Sequence, residues 1–299
     1  MNDSIAFSIV VAVQCSNDNV AEILRVLEPL GRDGVECLIC HAGDDSRHLK
    51  DITTGDRLRV LAGTSRSLIP HLWRDGIRAA KGMRVAITTA HCIPAPDWLD
   101  RLLMVDLDRV VGVGGVFENA PKANARDWAI FILRYGAFAA PGRAGRVSEI
   151  AADNAVYRRD DLLRHGDLLD RGFWEPSFHA RFRAEGLTLE IDPTLRVIHT
   201  NQYDGWRFLA QRFAHGREFA IARAEGLSLP RLLGLIALSP LLPAVFLGKI
   251  LMTPNPELMA RARRPKVLSW LLVFVGGWGV GEACGYVSAL STRFRRRRG

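Results

Sequence analysis

Gly76-Ile-Arg-Ala-Ala-Lys-Gly82 and the stretch that follows it, Met83-Arg-Val-Ala-Ile-Thr-Thr-Ala-His-Cys-Ile-Pro-Ala-Pro-Asp-Trp-Leu99, decide the architecture. Leu68 to Lys81 reads as a helix that stops at Gly82, the residue type that most readily closes one. Met83 to Thr88 is a short apolar run of strand character, and Asp97 then opens a second helical stretch to Val105. Helix, strand and helix in this order form one repeat of an α/β sheet with parallel strands.

The same alternation extends toward the N-terminus. Ala6 to Val13 is a continuous β-branched run, and Val20, Ile23, Leu24 and Leu27 follow it at helical spacing. Val35 to Cys40 and Leu58 to Ala62 add two short apolar strands, and Val110 to Phe117 adds a glycine-containing fifth. The first 120 residues therefore predict a mostly parallel sheet, which binds ligands at the carboxyl ends of its strands. Beyond it lie a helix at Trp128 to Phe138, a strand near Ile150 to Arg158, a helix at Trp174 to Glu185, and strands at Leu187 to Ile191 and Leu195 to His199. These complete one domain over residues 1–202, followed by a helical connector at 203–228 and hydrophobic helices at 229–299.

With 299 residues, 48% of them hydrophobic, the chain can bury a full α/β core and still supply a second element. The net charge of +8 is concentrated at the C-terminal end, where nine Lys/Arg face only Glu257 and Glu282 from residue 253 onward. Basic clusters beside apolar stretches suit anionic lipid headgroups, so membrane lipid and not nucleic acid is the expected partner. No basic residue precedes the first apolar run, as a signal peptide would require, so the body is expected in the cytoplasm. The five scattered cysteines read as reduced thiols. Cys37-Leu-Ile-Cys40-His41 matches the spacing of a c-type haem attachment, but it falls in a predicted buried strand.

Between Arg231 and Lys249 lie 17 uncharged residues interrupted by Pro240 and Pro243; as a helix they reach only about 25 Å, marginal for crossing a bilayer. Val267 to Thr292 is 26 residues long with Glu282 as its sole charge, enough to cross if that acid finds a partner. The loop at 253–266 carries four basic residues, and short basic loops stay cytoplasmic. The charge pattern therefore favours a re-entrant or interfacial first segment.

Taken together these segments resemble the A-type fold of glycosyltransferase family 2 over nearly the whole chain. Ser8-Ile-Val-Val-Ala-Val13 stands where that family opens its sheet, and Gly43-Asp44-Asp45-Ser46 where it has the acidic turn that holds the nucleotide base. The resemblance thus implies nucleotide-binding roles for Asp44 and Asp45, carboxylates able to accept from base N–H groups. The segment quoted at the outset resembles the family's helix, strand and metal-binding segment. The family's D-x-D falls here on Thr89-Ala90-His91, so both aspartates are replaced. Carboxylates suit Mg²⁺ or Mn²⁺, whereas imidazole shifts the preference away from Mg²⁺. His91 is a candidate ligand or phosphate donor, and His199, ending Leu195-Arg-Val-Ile-His199, resembles the family's C-terminal metal-holding histidine.

Phe173-Trp-Glu-Pro-Ser-Phe-His179 resembles the segment carrying the acceptor base, with Glu175 as the remaining carboxylate and Pro176 in place of an Asp; a first-turn helix acid is the other reading of Glu175. Ala151-Ala-Asp-Asn-Ala155 resembles the loop under the donor sugar, which implies sugar contacts by Asp153 and Asn154, or else a strand-end turn. Gln211-Arg212-Phe213 resembles the basic segment over the diphosphate, with Arg212 as the candidate; a helix facing lipid phosphate is its alternative. Gly276-Gly-Trp-Gly-Val-Gly-Glu-Ala-Cys-Gly-Tyr286 resembles the hydrophobic tail of some bacterial members, its small residues permitting close helix packing.

The resemblance implies an inverting transfer of sugar from a nucleoside-diphosphate donor to a lipid-linked or polysaccharide acceptor, at the cytoplasmic face of a bacterial inner membrane. A divalent cation, Mn²⁺ or Mg²⁺, is the implied cofactor, and envelope-biosynthesis proteins are possible partners. The two altered motifs keep open a catalytically silent domain that only binds nucleotide sugar or a partner transferase.

Overall fold

The computed structural model describes residues 5–14, 20–27, 33–43, 49, 52, 54–65, 67–200, 204–252 and 255–296. The chain divides into two compact units, one of residues 1–120 and 138–202, the other of 121–137 and 203–299. The expected boundary at 202 thus gains an exception, because residues 121–137 cluster with the C-terminal helices.

In the first unit, nine strands among the described residues form one sheet: β1 (Phe7–Val13), β2 (Val35–His41), β3 (Leu58–Ala62), β4 (Arg84–Thr89), β5 (Cys92–Pro94), β6 (Gly112–Asn119), β7 (Gly145–Val147), β8 (Asn154–Arg158) and β9 (Leu189–His199). Their order is β3-β2-β1-β4-β8-β6-β9-β5, with β7 also paired to β9. The pairs β3/β2, β2/β1, β1/β4 and β6/β9 are parallel, and β8 runs antiparallel between β4 and β6. β5 and β7 also pair antiparallel with β9, so four of the eight pairings among the described residues are antiparallel and the sheet is mixed; the expected parallel part is β3-β2-β1-β4. The two expected strands at 187–191 and 195–199 are one strand, with a register shift where β6 passes from Gly114 to Val116.

Of the helices α1 (Val20–Val26), α2 (Ile69–Ala79), α3 (Trp98–Leu103), α5 (Arg159–Leu163) and α6 (Gly166–Leu169) in this unit, α2 shows why the opening segment folds as it does. Ile69, Leu72, Trp73 and Ile77 recur on one face and are buried, each worth about 1.5–3 kcal/mol where a large apolar side chain leaves water. Gly76 lets this face close on the sheet: a Cβ there would sit 2.2 Å from a Val10 methyl. Trp73 Nε1 donates to the Thr88 carbonyl at 2.9 Å, tying the helix to β4. Behind β8, α7 (Glu175–Ala184) buries Phe178 and Phe182 in the same core.

The opposite end of this sheet holds a buried acid that the sequence reading passed over. Glu36 is fully buried and accepts from Ser8 Oγ at 2.7 Å, the Lys81 amide at 2.6 Å and Arg59 Nη2 at 2.7 Å. Cys37 and Cys40, on either side of the same strand, are buried. Burial pushes the Cys37 thiol up to about 12 and the Cys40 thiol higher still, so both stay protonated, inert core residues and the haem-like spacing carries no chemistry.

The second unit comprises α4 (Ala125–Tyr135), α8 (Gly205–Ala224), a helix running as α9 (Leu229–Leu238), a 3₁₀ turn at Ser239–Leu241 and α10 (Leu242–Leu251), then α11 (Pro256–Ala262) and α12 (Pro265–Arg296). The two prolines tighten the middle of Leu229–Leu251 into the 3₁₀ turn without ending it. Leu229–Leu251 and Pro265–Phe294 are long and apolar enough to cross a membrane, with mean hydropathy 1.9 and 1.5. α8 and α12 run parallel in close contact. A Cβ at Gly277, Gly281 or Gly285 of α12 would meet Leu209, Phe213 or Arg217 of α8 at 2.4 Å or less, so these three glycines allow the approach. Glu282, the acid that needed a partner, accepts from Trp278 Nε1 at 2.9 Å and the Tyr286 hydroxyl at 2.8 Å, with Arg223 of α8 at 4.0 Å.

Candidate active site

Strand direction assembles the site. β4 and β9 run the same way, so the residues leaving their carboxyl ends, Thr89 to His91 and His199, emerge at one edge of the sheet. β8 runs the opposite way and pairs Asn154 with Thr88, which sets Asp153, just before the strand, at that same edge. β5 then pairs Cys92 with His199 and folds the His91 segment onto the end of β9.

The resulting cluster is compact and buried. Thr89 Oγ1 donates to Asp153 Oδ1 at 2.9 Å and contacts His91 Nε2 at 3.1 Å. With the hydroxyl proton directed to Asp153, the hydroxyl accepts from His91, which puts the ring proton on Nε2. His91 Nε2 and Asp153 Oδ1 are 3.6 Å apart, and the His91 and His199 rings stand perpendicular with centroids 5.5 Å apart. The Thr200 amide donates to the His91 carbonyl at 2.8 Å, fixing the two histidine-bearing ends together.

The donor set fits a divalent cation. Ligand atoms of His91, Cys92 and Asp153 lie within 4.8 Å of one another, and mixed N, S and O donors favour Zn²⁺ over Mg²⁺. The sequence reading proposed His91 and His199 for the metal and gave Asp153 to the sugar; the structure gathers Asp153 and Cys92 beside His91. The missing signal was the antiparallel insertion of β8, which no local pattern announces.

The other candidates separate clearly. Asn154 is fully buried: its Nδ2 donates to the Val116 and Leu195 carbonyls at 3.1 and 3.0 Å, and its Oδ1 accepts from Trp98 Nε1 at 2.8 Å. Both of its donors are committed to the framework, so it braces the loop and does not face a sugar. Glu175 opens α7, and its Oε1 accepts from the Ala152 amide at 3.0 Å, which fixes the carboxylate against the loop that carries Asp153. Asp44 and Asp45 lie outside the described residues; their neighbour Gly43 stands just past the carboxyl end of β2.

Arg212 belongs to the second unit, with its guanidinium 4.2 Å over the Trp278 ring. Burial, and then the charge of Arg134, push it down to about 9, which leaves it charged at neutral pH. Its evident work is to pack α8 against α12.

No protein-family model matches the chain, and no curated protein matches it by sequence. Among solved structures, the mannosyltransferase PcManGT from Pyrobaculum calidifontis, determined in complex with GDP-Man and Mn²⁺, resembles it with a TM-score of 0.51 at 16% identity, over 92% of this chain and 86% of that one. At that identity the likeness is one of fold: the chain shares a mixed α/β architecture with PcManGT, followed by two apolar C-terminal helices.

Proposed function

We propose that the chain is a glycosyltransferase of family 2 type, moving a hexose from a nucleoside-diphosphate donor, with inversion, to a lipid-linked or glycan acceptor. The observation that carries this reading is the cluster of Thr89, His91, Cys92 and Asp153 where a glycosyltransferase sheet would hold its metal and diphosphate. PcManGT was solved with GDP-Man and Mn²⁺, and the cluster offers donors for a divalent ion.

In this scheme Glu175, held by the Ala152 amide, takes the proton of the acceptor hydroxyl. The hydroxyl oxygen attacks the anomeric carbon as the bond to the diphosphate breaks, and the nucleoside diphosphate leaves. A divalent ion on His91, Cys92 and Asp153 would supply positive charge to that leaving group. Asp44 and Asp45 keep a proposed role at the base, from their place after β2. Glu175→Gln retains the acceptor for the Ala152 amide but not the base, so turnover of GDP- and UDP-hexoses is expected to fall about 10²-fold or more with the fold preserved. Unchanged turnover would remove Glu175 from the mechanism.

A second reading is favoured by burial: His91 and Asp153 are only 2% and 6% exposed. A silent domain that binds nucleotide sugar or a partner transferase of an envelope assembly would leave them so. Donor binding without hydrolysis or transfer across many acceptors would select it.

The second unit supports membrane association at the surface of the bilayer. α8 carries Arg207, Arg212, Arg217 and Arg223, and each charge taken to the bilayer centre costs about 2.5–3.5 kcal/mol. The helix pair is therefore proposed to lie in the interface on the cytoplasmic side, with Leu229–Leu251, few of whose residues are buried, dipping into the acyl region. Complete protection of a tag in the 253–266 loop from protease added to spheroplasts is the expected result.

A further inference from the structure

The second unit has an open-sided cavity of about 540 Å³ between the start of α4 and the junction of α11 with α12. Trp128 lines it, with the Arg261 guanidinium 4.0 Å over the indole ring. Arg264 and Lys266 line it too, and both are exposed. Glu257 pairs with Arg261 at 3.1 Å, but neither the Arg264 nor the Lys266 side chain has an ion-pair partner among the described residues. No acidic residue lines the cavity among the described residues. Asn124 completes it; its Oδ1 already accepts from the Arg126 and Asp127 amides at 2.9 and 3.1 Å, so what it can offer a ligand is a donor.

Two uncompensated cations, a third stacked on an indole, and an amide donor describe a receptor for a compact polyanion. The volume lies within the roughly 300–1,000 Å³ of small-molecule sites, so it suits a headgroup and not a lone ion. About two turns along α12 from Lys266, Leu272 and Val273 are 50% and 44% exposed, an apolar surface beside the charged one. A ligand that satisfies both halves has a phosphate at one end and hydrocarbon at the other.

We infer that this cavity binds the phosphate of an anionic lipid, between Arg264 and Lys266, with the acyl or prenyl chains lying along the outer face of α12. The phosphate is either that of a bilayer phospholipid or that of a lipid-linked acceptor; the chemistry recognised is the same. The inference rests on the membrane association proposed above and adds a defined site to it.

The test is sedimentation of the full chain with phosphatidylcholine vesicles, with and without phosphatidylglycerol, for the wild type and two double variants. Arg264→Gln/Lys266→Gln empties the cavity of its unpaired charge, whereas Arg231→Gln/Arg263→Gln removes the same charge outside it. Thermal melting establishes that both variants are folded. The expected result is that phosphatidylglycerol strengthens wild-type binding and the cavity variant loses about tenfold more of that gain than the control variant. Equal losses would mean diffuse attraction and overturn the site. Equal binding to both vesicles would overturn phosphate recognition while leaving membrane association intact, and no binding to either would overturn the membrane reading itself. Competition by millimolar inorganic phosphate would reassign the cavity to a soluble phosphate compound, whereas competition by a prenyl phosphate and not by inorganic phosphate would identify the lipid-linked acceptor as its ligand.

Discussion

Asp153 Oδ1 lies 3.6 Å from His91 Nε2, and the Thr89 hydroxyl contacts both. The two residues are far apart in the chain and meet because an antiparallel strand begins where a parallel one ends. A carboxylate from one strand is thereby set beside an imidazole that follows another.

From this follows a metal prediction. His91→Ala and Asp153→Asn should each weaken Mn²⁺ or Zn²⁺ binding by about a hundredfold, since altering even an outer-shell partner of a metal ligand typically costs 10- to 100-fold. Calorimetric titration of metal-free protein measures it. Affinity unchanged in both variants would take the metal away from this cluster.

Glu36 anchors the far end of the sheet. Its removal leaves Ser8, the Lys81 amide and Arg59 facing a gap, so Glu36→Ala should destabilise the first unit by about 3–5 kcal/mol. Glu36→Gln, which keeps an acceptor, should cost less. Urea unfolding read at each variant's midpoint checks both values.

His179 predicts a pH dependence. Burial lowers its pKa from 6.5 to about 3, and its Nε2 lies 3.1 Å from the Tyr157 hydroxyl. Between these two values the unfolded chain binds a proton that the folded chain does not. The stability from the neutral ring is therefore full above pH 6.5 and is lost as pH falls toward 3. Wild type should lose about 2 kcal/mol between pH 6.5 and 5 that His179→Asn does not lose. Parallel acid profiles of the two proteins would refute this.

The helix pair gives a steric prediction. A Cβ at Gly281 would stand 2.1 Å from the Phe213 carbonyl, whereas one at Gly276 meets nothing within 4 Å. Gly281→Ala should destabilise the second unit by about 1–3 kcal/mol, and Gly276→Ala should be neutral or stabilising by up to about 1 kcal/mol. Melting temperatures in detergent should move in opposite directions, or down for Gly281→Ala alone.

The alternation from Ala6 to Val105 was legible because periodicity is a local property, but the expected helix stop at Gly82 was not: α2 ends at Ala79 with Ala80 as its cap, and Gly82 lies instead against the backbone of Phe7 and Ser8, where a Cβ would sit 2.7 Å away. The position of Thr89-Ala90-His91 at a strand end followed from the same pattern, and so did the apolar C-terminal segments and the need of Glu282 for a partner. Asn154 shows where such reading ends: its residue type fits a sugar contact, but its surroundings commit it to three framework hydrogen bonds.

By itself, then, the sequence determined the α/β class, the strand-end position of Thr89-Ala90-His91, and the charge asymmetry of the chain. Only the tertiary structure decided that β8 enters antiparallel and delivers Asp153 to His91, that α4 packs with the C-terminal helices, and that Trp278, Tyr286 and Arg223 answer Glu282. The first set depends on neighbours along the chain. The second depends on pairings between distant segments, whose order and direction are settled by which faces can be buried together.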